Sequence, residues 1–148
     1  MKKLILFDID GTLVARHEGH NEAFAVAFKE VHGINASIHM VDYHGKTDQQ
    51  IIRDVLKVCG ISQDAIDAKM DQFMQVMCDY YVTVGPSLTT ELFDDVTKTL
   101  DALDGDDYLL GLVTGNLEPI AHTKLGRADI DKYFKLGGFG NEALDRSQ

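Results

Sequence analysis

The stretch Leu4-Ile5-Leu6-Phe7-Asp8-Ile9-Asp10-Gly11-Thr12-Leu13-Val14 decides how this chain is read. Leu4 to Phe7 is a continuous apolar run, the mark of a strand buried on both faces within a parallel sheet. It stops abruptly at two carboxylates, a glycine and a threonine. Alternation along an extended chain puts Asp8 and Asp10 on one side and Ile9 on the other. Gly11 permits a sharp turn, and the Thr12 hydroxyl can donate to a carboxylate or a phosphate oxygen. Ligands of open α/β sheets bind beyond the carboxyl ends of the strands. Two negative charges a few Å apart repel by roughly 4 kcal/mol at a surface-like dielectric, so the pair calls for a metal ion and a polar substrate. A calcium loop would need glycine at its sixth place and glutamate at its twelfth. Counted from Asp8 those places hold Leu13 and Gly19, and that reading fails.

Beyond Val14 the periodicity turns helical. Ala23, Phe24, Ala27, Phe28 and Val31 predict a helix over Asn21–His32, stopped by Gly33. Thr47 or Asp48 caps a second helix with the apolar face Ile51, Ile52, Val55 and Leu56. Ser62 caps a third, on which Ile66, Met70, Phe73, Met77 and Tyr80 form a stripe of helix-bundle core. Gly85-Pro86 breaks the pattern. From Leu88 to Leu103 the spacing again reads as helix. Asp104 to Asp107 is a turn, and Tyr108 to Val113 is a second buried strand. Pro119 suits the first turn of a helix carrying Ile120, Ala121, Lys124 and Leu125. A third strand starts within Tyr133–Leu136, and Gly137-Gly138-Phe139-Gly140 reads as a loop. Alternating strands and helices imply an α/β fold with a parallel sheet. The expected division is a Rossmann-like core of residues 1–14 and 86–148, with residues 15–85 inserted as an α-helical cap above the carboxyl edge of the sheet.

Thr114-Gly115-Asn116 ends the second strand just before a helix N-terminus, where a hydroxyl and a backbone N–H make a phosphate site. Phe7-Asp8-Ile9-Asp10-Gly11-Thr12-Leu13, followed about a hundred residues later by Val113-Thr114-Gly115-Asn116, resembles the haloacid dehalogenase-like hydrolase superfamily. The helical insert is similar to the cap of its phosphoglycolate phosphatase-like and phosphoglucomutase-like branches, with His44-Gly45-Lys46-Thr47-Asp48 resembling a cap segment there. The resemblance implies that Asp8 is the nucleophile and a metal ligand. It makes Asp10 the general acid and base, which also gives its backbone carbonyl to the metal. It has Thr114 and Asn116, with Gly11, Thr12 and Gly115, hold the phosphoryl group, and Mg²⁺ as the cofactor. The acid at Asp10 favours phosphatase over dehalogenase chemistry. The implied activity is Mg²⁺-dependent hydrolysis of a small phosphomonoester through an aspartyl-phosphate. The alternatives are a sugar-phosphate mutase and a catalytically silent fragment or binding module.

The family's third motif is a lysine or arginine that neutralises nucleophile and phosphate. Arg146 lies near its expected position, whereas Lys124 reads as a surface lysine. The fourth motif, a strand ending in further acids, has no counterpart before Gln148. The expectation is therefore a chain truncated before that motif. The Leu4–Phe7 strand is then left with one open edge, and the expectation is that the chain either self-associates through it or represents part of a longer product.

The bulk properties narrow the class further. With 148 residues, 45% of them hydrophobic and 26% charged, the chain has the composition of a globular domain. A formal net charge of −10 argues against unspecific nucleic-acid binding, while a metal can still reverse the local field for an anionic substrate. No apolar run is long enough to span a membrane. Met1-Lys2-Lys3 with its short apolar run is no signal peptide, so the expected location is cytoplasmic. Cys59 and Cys78 show no zinc or redox spacing and read as free thiols. The six histidines form no metal-ligand spacing and read as surface or structural.

Overall fold

A computed structural model describes residues 1–142, so Arg146 lies outside the described residues. Strand β1 (Lys3–Phe7), strand β4 (Tyr108–Val113) and strand β5 (Leu136–Gly138) form a parallel sheet in the order β1-β4-β5. The register sets Phe7 against Leu112 and Val113 against Gly138. The Asp8 and Thr114 segments therefore leave neighbouring strands at the same end of the sheet. β5 begins later than expected, because Asp131–Tyr133 is a short 3₁₀ turn. It also runs into the predicted loop: Gly137 and Gly138 are strand residues. Gly137 is needed there, since a Cβ would fall 2.6 Å from the Phe139 ring.

Between β1 and β4 the chain forms helix α1 (His20–His32), helix α2 (Asp48–Val58) and helix α3 (Gln63–Val84). Their boundaries follow local chemistry. Gly33 closes α1 in the left-handed region at φ 68°. Thr47 and Gln50 form a capping box on α2, and Ser62 caps α3 by accepting from the Ala65 N–H. On α3 the buried stripe is Ile66, Met70, Phe73, Met77 and Tyr81. Tyr81, rather than the expected Tyr80, takes the last place, with its hydroxyl donating to the Glu18 carbonyl at 3.2 Å and contacted by Arg127.

The segment after Leu88 departs from the helical reading. Strand β2 (Val14–His17) and strand β3 (Thr90–Leu92) pair antiparallel, so the two chain segments flanking the helical block form one ribbon. Helix α4 (Val96–Leu103) starts only after Asp95, which sits at φ 64°. The Phe93 N–H is committed to the Leu13 carbonyl at 3.1 Å, which ties that segment to the ribbon instead of to a helix.

Two hydrophobic clusters result. One gathers α1, α2 and α3 with Leu117 and Ile120. The other joins Ile9, Leu110 and Leu112 to Leu100, Ala121 and Leu125. Helix α5 (Glu118–Arg127) contributes to both and is the shared wall between them. The other face of the sheet carries Leu4, Leu6 and Leu136, exposed to 54%, 50% and 42%. The expectation of a strand buried on both faces is thus wrong for β1. Among the described residues β1 pairs with β4 alone, so the expected open edge is present. Among the same residues, no helix is long and apolar enough to cross a membrane.

Both cysteines are free thiols. Burial, reinforced by Asp48 and Asp79, pushes the Cys78 thiol up to about 12 from 9.0. A raised value keeps the native group protonated, so its stabilising contribution is present below the unfolded thiol's range and is lost as pH rises through the folded value. At pH 8 the native thiolate population is on the order of 10³-fold below that of an ordinary thiol of pKa about 8.5. Iodoacetamide at pH 8 is expected to modify Cys78 only after unfolding; rapid native labelling, read by mass spectrometry, would contradict this.

Candidate active site

The sequence brings two acids to the carboxyl end of β1, and the fold closes a cleft over them. Asp8, Asp10, Gly11, Gly115 and Asn116 line it together with Tyr43, His44 and Lys46. The cleft measures about 550 Å³, room for a small polar molecule. Ile9 is fully buried in the sheet cluster, so both acids face the cleft as alternation requires. Asp8 Oδ1 accepts the Ile9 N–H at 2.8 Å. Gly11 sits at φ 80°, a conformation that glycine alone adopts without strain.

The Thr114 to Asn116 segment is held from both sides. Thr114 Oγ1 accepts from the Asn116 N–H at 3.1 Å and from its amide Nδ2 at 2.8 Å. That same Nδ2 donates to Asp10 Oδ2 at 2.8 Å. Asn116 is therefore a strut between the two strand ends rather than a helix cap. The Asp48 N–H donates to the Gly115 carbonyl at 2.8 Å. A Cβ on Gly115 would lie 2.6 Å from the Lys46 carbonyl oxygen. Bare backbone at this position is what lets the helical block sit on the strand end.

Lys124 corrects the sequence reading most sharply. It is fully buried, not a surface lysine. Its ammonium hydrogens all find acceptors: Asp10 Oδ1 and Oδ2 share one at 3.1 Å each, Asn116 Oδ1 takes one at 2.6 Å, and His20 Nδ1 takes one at 3.0 Å. Because His20 Nδ1 accepts, Nε2 carries the ring proton and donates to Asp48 Oδ2 at 3.1 Å. Asp48 Oδ2 also accepts the Leu117 N–H at 3.0 Å, capping α5 from another helix. His20 and Asp48 are thus site residues that the sequence reading left as a structural histidine and a helix cap. A signal existed: Lys124 stands one turn from Ile120 on the apolar stripe of α5, and His20 one turn from Phe24 on that of α1. A polar residue on a buried stripe needs a partner.

The electrostatics follow from these contacts. Burial works to raise the Asp10 carboxyl, but the Lys124 ammonium, then His17 and His20, and the Asn116 amide outweigh it and hold it at about 2. Burial and Lys124 bring His17 down to about 4, against the pull of Asp10. Burial pushes Lys124 down while Asp10 and Asp48 oppose it.

Thr12 is not brought in: it lines a separate depression of about 200 Å³ with Phe7 and Phe93. Lys46 lines the main cleft and pairs with Asp54 at 2.7 Å.

Among the described residues, one cluster that sequence spacing did not show has metal-ligand geometry, with atoms of Asp10, His17 and His20 within 4.8 Å of one another. The donors there do not suit a cation, because both His20 nitrogens are engaged and the Lys124 ammonium occupies the same space. Asp8 and Asp10 bring carboxylate oxygens to the same cleft, hard donors of the kind magnesium takes, with the Asp10 carboxylate already paired to Lys124.

Comparison with known proteins identifies the family. The profile of the haloacid dehalogenase-like hydrolases matches residues 5–138. This chain belongs to the haloacid dehalogenase-like hydrolase family. It is 27% identical over 143 residues to Probable phosphatase IndB of Dickeya dadantii (strain 3937), covering 92% of this chain and 58% of that protein. It is 25% identical over 136 residues to the phosphoglycolate phosphatase of Aquifex aeolicus (strain VF5), covering 90% and 59%. The crystal structure of a predicted phosphoglycolate phosphatase from Haemophilus somnus 129PT superposes with a TM-score of 0.64 at 24% identity, over 97% of this chain and 65% of that one. The structural likeness is one of fold, a Rossmann-like α/β fold with a parallel sheet. The chain spans about three fifths of the length of the curated relatives it matches.

Proposed function

We propose that this chain carries the reaction centre of a magnesium-dependent phosphatase for a small phosphomonoester. The observation that carries the reading is the juxtaposition, in one cleft, of the Asp8 and Asp10 carboxylates with the Gly115-Asn116 backbone and amide. Asp8 is the nucleophile, attacking phosphorus in line to give an aspartyl-phosphate. Asp10 protonates the leaving oxygen and then activates water. Held at about 2 in the resting site, Asp10 is ionised at neutral pH. A phosphate dianion arriving beside it raises its proton affinity, as like charges do, so Asp10 takes up a proton from solvent before passing it to the leaving oxygen. Thr114 and Asn116, bonded to each other and, through Asn116, to Asp10, hold the strand end so that the Gly115 backbone faces the phosphoryl oxygens ahead of α5. The Asp8 carboxylate and Asp10 carbonyl would hold Mg²⁺, which when bound offsets the charge developing on the phosphoryl oxygens.

In this reading residues 15–85 are the cap, and the β2–β3 ribbon is its hinge. The polar lining from Tyr43 to Lys46 supports a small, water-soluble phosphorylated metabolite. Such esters hydrolyse extremely slowly in water, and enzymes accelerate them by up to about 10²¹-fold.

The test is release of inorganic phosphate from p-nitrophenyl phosphate and a panel of sugar and carboxylic-acid phosphomonoesters, with Mg²⁺ and with EDTA. Mg²⁺-dependent release is expected. Release unaffected by EDTA, or none from any ester, would overturn the reading. We further propose that the exposed Leu4, Leu6 and Leu136 face and the β1 edge support self-association. Size-exclusion chromatography is expected to show a concentration-dependent dimer; a monomer at all concentrations would contradict it.

A further inference from the structure

We propose that Lys124, His20 and Asp48 form a positioning relay that couples the seating of α1 and α2 on the sheet to the orientation of the Asp10 carboxylate. The assignment of Asp10 as proton donor rests on the phosphatase reading; the relay itself does not.

The contacts form a closed circuit through both hydrophobic clusters. Asp10, at the end of β1, is gripped by Lys124 from α5. Lys124 is completed by His20 from α1, and His20 by Asp48 from α2. Asp48 returns to the start of α5 through the Leu117 N–H and to the strand end through the Gly115 carbonyl. Asn116 closes the circuit by bonding both Lys124 and Asp10.

The side chains of Lys124, His20 and Asp48 are 0%, 9% and 4% exposed, so water does not substitute readily for a lost partner. If α1 and α2 lift away together, the ammonium loses an acceptor, and Asp48 loses the Leu117 N–H as a donor and the Gly115 carbonyl as an acceptor. Asp10 then keeps its carboxylate position through Asn116, His17 at 3.4 Å and a less constrained lysine. Buried polar networks behave in this coupled way because a partly satisfied network is costly. The helical block and the proton-transferring group therefore move as one unit.

His20 offers a discriminating substitution. Glutamine can donate to Asp48 and accept from Lys124, as the imidazole does, whereas leucine fills the space and does neither. A space-filling role is served by leucine; the relay is served by glutamine alone.

The test uses the full chain in three variants, His20→Leu, His20→Gln and Lys124→Met. Amide hydrogen exchange of Asp48 and Leu117 is read first and needs no activity. Lys124 touches neither amide, yet the relay predicts at least tenfold faster exchange at both in Lys124→Met and His20→Leu. It predicts near-native rates in His20→Gln, and unchanged protection within α3 in all three. Equal exchange in leucine and glutamine variants, or native protection in Lys124→Met, would overturn the relay. Should His20→Leu fail to fold, the Lys124→Met and His20→Gln comparison decides alone.

The second readout is kinetic. In His20→Leu, kcat for an alkyl phosphate is expected to fall about a hundredfold. With 2,4-dinitrophenyl phosphate, whose leaving group needs no proton, kcat is expected to stay within about threefold, and KM to change little for either. Equal loss for both esters would overturn the coupling to Asp10. Absence of turnover in the unaltered chain would count against the phosphatase reading and leave the exchange result to judge the relay.

Discussion

Replacing Asp8 by asparagine will remove phosphate release from this chain while leaving its melting curve in place. Asn is nearly isosteric, and its carbonyl oxygen can still accept the Ile9 N–H that Asp8 Oδ1 now takes at 2.8 Å. The fold therefore loses little, within about 1 kcal/mol. The proposed reaction loses its nucleophile, because a neutral amide neither attacks phosphorus nor contributes charge to a cation site. A fall of at least about 10³-fold in kcat, or ~4 kcal/mol of transition-state stabilisation, is expected. Phosphate assays beside thermal melts check both halves. A variant with near-native turnover would remove Asp8 from the chemistry, and one that fails to fold would show that the acid is structural.

The second large effect is expected at Gly115. Alanine there would put its Cβ 2.6 Å from the Lys46 carbonyl oxygen and 3.0 Å from Thr47 Cα. Both are backbone atoms at the capped start of α2 and cannot swing aside as a flexible side chain would. The helical block must shift, stretching the Asp48 N–H to Gly115 carbonyl bond and the Asp48 contacts to His20 and Leu117. Overpacking of this kind costs about 1–3 kcal/mol, and a buried bond lost with it a further ~1–3 kcal/mol. A drop in melting temperature of about 10 °C is expected for Gly115→Ala. Gly105→Ala is the control: that turn glycine has nothing within 4 Å of its would-be Cβ. Calorimetry showing equal melting for both would contradict the close seating of the block.

Much of this was legible in the sequence, for reasons that differ element by element. Helices α1, α2, α3 and α5 carry a buried stripe and, at most ends, a cap or glycine, so periodicity and chemistry agree. Strands β1 and β4 are apolar runs between turn residues. The β2–β3 ribbon was not legible, because Val14–His17 and Thr90–Leu92 are short and partly polar and gain their strand character only by pairing with each other. Leu92, Val96, Leu100 and Leu103 mimic a longer helix by spacing alone. At the site, Asp8, Asp10, Gly115 and Asn116 were legible because they cluster at strand ends. The burial of Lys124 and His20 had a signal in their helical stripes, but their pairing with each other and with Asp48 did not, because 104 residues separate His20 from Lys124 and 28 separate it from Asp48. Their mutual satisfaction exists only in three dimensions. Thr12 shows the opposite error: its place beside Gly11 suggested the cleft, and the turn carries it elsewhere.

The most direct test of the account is a single turnover of the Mg²⁺-loaded chain with a phosphomonoester, quenched in acid and digested for mass spectrometry. The peptide holding Asp8 is predicted to gain one phosphoryl group at that residue and to lose it on treatment with hydroxylamine. Phosphate release with the label on another residue, or with no covalent label at any quench time, would contradict the assignment of Asp8 as the attacking group.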